Sequence, residues 1–460
     1  MLEKKQDIKI LKRKPDFCGF LSLVSKLEIK SAVGRKLFSN QLFSTDKKFI
    51  INELDNTEKI ISILANQTLS EKISELQQLF SEILDIEKTL DNLAQKQILN
   101  DIELFEIKKF AMLSVKIGKL AFSLKVPFTF CPLPFAKVIE ILDPESSSLP
   151  TFYIYSIYSK KLSELRKMQK TENNADLQIE ILQLEQAIRE DLSKKLADYA
   201  ENLQNSLKEI AYLDLLFAKA DFSLKNNFCK PKIVANHTIY YKIFNPEIKN
   251  ELEKSGKNYQ KISIDFGRFP TLITGINMGG KTLMLKTLAL CQMLVQYGFY
   301  VPAESAEIMP VEKIMYSFSD EQNQQQGLSS FAAEMKKIDE IIMQISDNQN
   351  VLVLIDELAR TTNPKEGSAV VSAMLEILQE NNVCSFITTH YDIKTDCRRL
   401  RVKGFLETSQ LLQNNTFFID YQLVSDNSGE TPNEAVRIME MLSTNKKLIK
   451  KIKNYLILSE

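Results

Sequence analysis

The sequence predicts a multidomain chain of the α plus α/β class, with an all-helical first half followed by a mostly parallel α/β domain. Three observations carry this. Apolar residues recur at helical spacing over most of residues 1–225, where Gly and Pro are sparse. From Phe228 onward, short apolar runs alternate with helical stretches, as strands joined by crossover helices do. One such run leads straight into a glycine-rich turn and a long helix-forming stretch. The length, 460 residues, suits about three domains. The expected organisation is a helical core domain over 1–135, a connector and helical hairpin over 136–226, the α/β domain over 227–430 and a helical tail over 431–460.

Taken in order, the helical half shows Ile86, Leu90 and Leu93 at helical spacing. Residues 125–150 are rich in Pro, Phe and Ser and read as a connector with a short helix inside it. An apolar stripe then runs through Leu177, Ile181, Leu184, Ile188, Leu192, Leu196, Tyr199, Leu203, Leu207 and Ile210, at a mean step of about 3.7 residues. It is read either as a bundle helix on a core or as a long lever packed against a returning partner, and its length favours the lever. The polar stretch Lys170 to Asp176 would form the tip of a helical hairpin. Further on, Ile239-Tyr240-Tyr241, Ile262-Ser263-Ile264, Thr271 to Thr274, Val351 to Ile355 and Cys384 to Thr388 read as strands. The run Val351 to Ile355 has the continuous apolar character of a central parallel strand. The tail carries Lys446, Lys447, Lys450, Lys451 and Lys453, read as a solvated face.

Composition narrows the function classes. The 59 basic and 59 acidic residues cancel, so any nucleic-acid surface must be a local patch. The six cysteines form no C-x-x-C pair, and with only His237 and His390 beside them no zinc spacing arises. They read as reduced thiols of a cytoplasmic protein. No run approaches the ~18 apolar residues of a membrane span, and the mixed-charge N-terminus lacks the apolar core of a signal peptide.

The chemistry concentrates at Gly275-Ile276-Asn277-Met278-Gly279-Gly280-Lys281-Thr282, which fits G-x-x-x-x-G-K-[ST] between a strand and a helix. Glycines let backbone N–H groups crowd around phosphate oxygens, and a helix N-terminus adds donors and positive potential. Lys281 would reach the β- and γ-phosphates of ATP, and the Thr282 hydroxyl would ligate Mg²⁺. The run Val351 to Ile355 ends in Asp356-Glu357, placing two carboxylates where open α/β sheets bind ligands. Asp356 would hold Mg²⁺ largely through water, and Glu357 would polarise the attacking water. His390 follows the strand ending at Thr388-Thr389; it is either a structural histidine or a sensor of the γ-phosphate, and the neighbouring motifs favour the sensor. Gly327-Leu328-Ser329-Ser330-Phe331 heads a helix expected from Ala332 to Ile345. Ser329 or Ser330 would be its N-cap, with Glu334 near the capping-box position. The same serines could offer donors to an anion.

Together, TGINMGGKT, YVPA (Tyr300 to Ala303), GLSSFAAEM, LVLIDELAR and TTHYD resemble the ATPase domain of the MutS family. The family's P-loop reads TGPNMGGKS or T, and Ile276 stands here in place of the proline. The resemblance implies an ABC-type P-loop ATPase that works as a homodimer, with ATP and Mg²⁺ at the interface. It identifies Gly275, Asn277, Met278, Gly279, Gly280, Lys281 and Thr282 with nucleotide binding, and Asp356 and Glu357 with the Walker B pair. His390 matches the switch histidine, Ser329 the signature serine that completes the other subunit's site, and Phe244 the aromatic that stacks on adenine. Residues 31–60, ILDIEKTLDNL and residues 211–223 are similar to the family's core and returning lever helix.

Departures from the family pattern bear on the target. The core-like segment begins near residue 17, which leaves no room for the domain whose Phe-x-Glu reads a mismatch. Phe80-Ser81-Glu82 has the letters but sits in a helical pattern and reads as packing. The DNA clamp is missing or reduced to the tip near residues 170–177, and no nuclease domain follows the ATPase. ARTTNPKEG, after Glu357-Leu358, stands where repair members have a GRGT-type loop. It is similar to short MutS-like ATPases associated with reactivating coenzyme-B12-dependent aminomutases. Two classes of function therefore stand side by side. One is a mismatch-repair or recombination ATPase with weak, non-specific DNA contacts; the other is a remodelling ATPase that serves a metabolic enzyme.

Overall fold

The computed structural model describes residues 16–146, 151–170, 175–275, 279–318, 330–345, 350–405, 419–426 and 445–457. The helices are α1 (Phe20–Val24), α2 (Ala32–Ser39), α3 (Lys47–Leu64), α4 (Ser70–Glu82), α5 (Glu87–Ala94), α6 (Asp101–Ser123), α7 (Ala136–Leu142), α8 (Lys160–Gln169), α9 (Ala175–Ala197) and α10 (Ala200–Lys225). They are followed by α11 (Pro246–Lys254), α12 (Lys281–Gln296), α13 (Ser330–Gln344), α14 (Pro364–Glu380) and α15 (Lys446–Ile457). The strands are β1 (Lys232–Ile233), β2 (Thr238–Ile243), β3 (Ile262–Phe266), β4 (Pro270–Thr274), β5 (Ser305–Ile308), β6 (Lys313–Ser317), β7 (Val351–Ile355), β8 (Cys384–Thr388), β9 (Arg398–Phe405) and β10 (Ile419–Ser425). The chain divides into two compact units. One holds Ser25–Leu42 and Asp55–Lys225; the other holds Lys14–Val24, Phe43–Leu54 and the residues from Asn226 onward.

The first unit is helical. Its apolar faces close one core, in which Leu76, Phe80, Leu90, Leu104, Ile107, Leu203 and Ile210 are fully buried. Phe80 meets Phe217 edge-on at 6.0 Å between ring centroids, so the aromatic of the Phe-Ser-Glu triplet is core packing. The side chain of Asn100 accepts from the amides of Ile102 and Glu103, and Glu103 returns the bond in a capping box that starts α6. The connector is pinned from beneath by Lys108. Its buried ammonium donates to Asp143 at 3.1 Å, to the Thr151 carbonyl at 3.0 Å and to the Tyr155 hydroxyl at 2.9 Å. A buried cation is tolerated when its donors are met in this way. α8 and α9 pair through Arg166 and Glu185 at 2.7 Å, while the expected tip residues 171–174 lie outside the described residues.

The apolar stripe from Leu177 to Ile210 does not form one helix. It breaks at Asp198-Tyr199 between α9 and α10, where the Tyr199 amide bonds only three residues back, to Leu196. Its α10 half is buried at Leu203, Leu207 and Ile210, whereas Leu177, Leu184 and Ile188 are half-buried.

The second unit carries two sheets. The larger runs β10-β9-β4-β8-β7-β6, parallel throughout except for the antiparallel pair of β10 and β9. β4, β7 and β8 are buried at every position, as strands covered on both faces must be. Val351, Val353 and Ile355 pack with Ile338 and Ile341 of α13 and with Val371, Met374, Leu375 and Leu378 of α14. Strand alternation sends Leu352 and Leu354 to the opposite face. The expectation of one mostly parallel sheet is corrected for β2 and β3. They belong to a separate sheet, β1-β5-β2-β3, in which β2 runs antiparallel to both neighbours. β2 shows the corresponding half-burial: Tyr240 is buried while Ile239 and Tyr241 are exposed.

Candidate active site

The register of the larger sheet sets the site. Ile273 pairs with Thr388 and Ile355 with Ile387, so β4, β8 and β7 end side by side. The chain leaves β4 at Gly275, with φ +126°, and enters α12 through Gly280, with φ +73°. A Cβ on Gly275 would stand 3.1 Å from Val402, and one on Gly280 would stand 3.3 Å from the ring of Tyr421. Backbone conformation and space both call for glycine at these two positions. Tyr421 is brought there by β10, where Gln260 accepts the Tyr421 amide at 2.9 Å and donates to Asp420 at 2.7 Å.

Lys281, at the head of α12, is buried, and its ammonium donates to the Gly275 carbonyl at 2.8 Å. Burial pushes its pKa down, against the opposing pull of Glu357 and Asp356. The Thr282 hydroxyl donates to Asp356 Oδ2 at 2.7 Å, and the Thr388 hydroxyl donates to Asp356 Oδ1 at 2.8 Å. The same Thr388 oxygen accepts the Glu357 amide at 2.8 Å, so one hydroxyl ties both residues after β7 to the end of β8. Glu357 Oε1 lies 2.7 Å from His390 Nε2, and its Oε2 accepts from Arg360 at 2.7 Å. The bond to His390, assisted by the charge of Arg360, holds the Glu357 carboxyl below the ordinary range despite burial.

Residues 271–458 match MutS domain V. The endonuclease MutS2 of Caldicellulosiruptor bescii is 28% identical over 389 residues, 83% of this chain and 45% of that relative. A match of that length reaches well beyond the domain V residues. The endonuclease MutS2 of Caldanaerobacter subterraneus is 31% identical over 321 residues, 69% of this chain and 38% of the relative. That of Thermus thermophilus is 31% identical over 290 residues, 62% and 35% of the two chains. The chain belongs to the MutS family. It spans less than half the length of these relatives.

In this MutS-family chain the structure joins Gly275, Lys281, Thr282, Asp356, Glu357 and His390 into one connected set, with Gly279 and Gly280 on the turn into α12. Asn277, Met278 and Ser329 lie outside the described residues. Phe244 is buried at the end of β2, edge-on to Phe228, with the ammoniums of Lys261 and Lys249 over its ring at 5.3 and 5.7 Å. The helix expected from Ala332 begins at Ser330. Glu334, which stands near the capping-box position of that helix, accepts the Ala359 amide from the loop after β7 at 3.1 Å.

Sequence reasoning passed over four members of this MutS-family site. Thr388 was visible only as a polar end to an apolar strand. Arg360 stood in the loop that departs from the family pattern. Tyr391, whose hydroxyl donates to the Ala359 carbonyl at 2.7 Å, stood in TTHYD without a role of its own, and Tyr421 gave no sign, because its neighbours are distant in sequence.

Proposed function

We propose that this chain binds ATP with Mg²⁺ at the C-terminal ends of β4, β7 and β8, hydrolyses it, and works as a homodimeric switch of the mismatch-repair and recombination type. The observation that supports this best is the hydrogen-bonded series from Thr282 through Asp356 and Thr388 to Glu357 and His390. It links the P-loop helix to a carboxylate suited to general base work.

The glycine turn and the first amides of α12 offer donors to phosphate oxygens. Lys281 would exchange the Gly275 carbonyl for the β- and γ-phosphates, whose negative charge answers the cost of its burial. Thr282 and Asp356 present a hydroxyl and a carboxylate in contact, and no cluster of three His, Cys, Asp or Glu suited to a metal occurs among the described residues. This sparse set of hard oxygens fits Mg²⁺, which keeps water and phosphate oxygens for most of its ligands. When bound, the ion would neutralise charge developing on the phosphates. Glu357, kept ionised by His390, would accept the proton of the attacking water. His390 would sense the γ-phosphate from the other side of that carboxylate, and Ser329 of one subunit would complete the site of its partner.

The target proposed is DNA, held through sequence-independent contacts. The lysines of α15, all exposed, are suited to phosphates. The alternative of a remodelling factor for a metabolic enzyme rests on the departures in the sequence, ARTTNPKEG among them, and is not better supported than the DNA role. No helix among the described residues is long and apolar enough to cross a membrane.

The test separates binding from chemistry. Lys281→Ala should weaken ATP binding. Glu357→Ala should bind ATP normally and hydrolyse it ~100-fold more slowly, the scale of a lost general base. Turnover by Glu357→Ala at the wild-type rate would refute the assignment.

A further inference from the structure

We infer that Glu334 and Tyr391 are positioning residues for Glu357, acting through the peptide of Ala359. The inference rests on the reading of Glu357 as the general base. Beyond β7 the chain takes a left-handed conformation at two residues that are not glycine, Glu357 with φ +52° and Ala359 with φ +60°. L-residues resist this conformation, and it persists where the surroundings over-determine it.

At Ala359 they do so from several sides. Ala359 is fully buried. Its amide donates to Glu334 Oε1 at 3.1 Å, and its carbonyl accepts from the Tyr391 hydroxyl at 2.7 Å and from the Thr362 amide at 3.2 Å. Glu334 comes from α13. Tyr391 follows His390, the residue in contact with the Glu357 carboxylate. The segment after β8 thus holds both the carboxylate of Glu357 and the peptide two residues beyond it.

Two features are hard to explain as plain packing. Glu334 is buried, and burial pushes its carboxyl up, yet its bond is to a neutral backbone amide. A carboxylate so placed costs stability, which an apolar side chain would not. A Cβ on Gly367 would stand 2.5 Å from the Tyr391 ring, so α14 carries a glycine where that ring must pass. Glu334 also lies one turn into α13, so a shift of α13 along its axis would move the Ala359 peptide and, with it, Glu357.

The experiment measures kcat and KM for ATP in E334A, E334Q, Y391F and the double variant E334A/Y391F, with E357A as reference. E334A and Y391F should each lower kcat about tenfold, the scale of one lost hydrogen bond, and leave KM within about twofold. E334Q keeps an acceptor oxygen and should recover most of the rate. The double variant should lose less than the product of the single losses, because both residues hold one peptide. Y391F is nearly isosteric and guards against misfolding as the explanation. Wild-type kcat in E334A and Y391F beside a slow E357A would overturn the inference and leave the base in place. Parallel loss of nucleotide binding, or E334Q as slow as E334A, would overturn it as well. Wild-type turnover by E357A would instead remove the reading on which it stands.

Discussion

The Thr388 hydroxyl donates to a carboxylate that also accepts from Thr282 of α12, and it accepts the amide of the residue proposed to activate water. It is buried, so replacing it by valine strands both groups without water to take them. Thr388→Val should cost about 1–3 kcal/mol of stability, the penalty for buried groups left unmatched. It should slow hydrolysis more than it weakens ATP binding; a denaturant midpoint beside a rate measurement checks both halves. Gly280 poses a different residue problem. Its φ of +73° and the ring of Tyr421, 3.3 Å from the Cβ site, act together against any side chain. Gly280→Ala should lower the unfolding free energy by about 2 kcal/mol, roughly the cost of one left-handed alanine. It should reduce ATP affinity, as titration with a fluorescent nucleotide would show.

Among the elements, α12 carries the site at one end and its anchorage at the other. It is buried on nearly every face, through Leu285, Leu288, Leu290, Leu294 and Val295, as a helix apolar all round must be. At its C-terminal end the Gly298 amide bonds to Val295 and the Phe299 amide to Leu294, with Gly298 at φ +72°. A Cβ there would stand 2.6 Å from Glu53 Cβ. Gly298→Ala should therefore destabilise the chain by more than the roughly 1–2 kcal/mol of left-handed strain alone. Thermal unfolding would register it, and a loss smaller than that would mean that α3 yields readily at Glu53.

For the whole molecule, the proposed dimer and the proposed target each make a prediction. If Ser329 completes the partner's site, a Lys281→Ala chain mixed with a Ser329→Arg chain forms heterodimers with one intact composite site. Activity should partly recover relative to either variant alone, and full activity in a monomer at low concentration would exclude the arrangement. DNA contacts confined to lysines such as those of α15 carry no sequence information. Binding to matched and mismatched duplexes should be equal, no tighter than roughly 10⁻⁶ M at physiological salt, and steeply weaker as salt rises. A mismatch preference of about tenfold, or 1.4 kcal/mol, would require a reader that these contacts do not supply.

The chain by itself determined the helical and sheet-bearing regions, the strands that end at the site and the residue types that meet there. These follow from local rules: apolar periodicity, the continuous burial of parallel strands and the backbone demands of a glycine turn. Tertiary structure decided what depends on distant neighbours. Nothing at Asp198-Tyr199, with neither Gly nor Pro, announces the break between α9 and α10. β2 and β3 are strands by pattern, but only pairing with β5 sets them in a sheet of their own. Residues 14–24 and 43–54 fall with the sheet-bearing unit because Phe20 stacks on Tyr297 at 5.0 Å and Ser44 bonds to Gln296. The spacing of Glu334 to serine places it near a capping-box position and says nothing of the loop after β7. Its carboxylate accepts the Ala359 amide, because a group buried in the fold must bond to whatever donor the fold places within reach, and local spacing cannot say which donor that is.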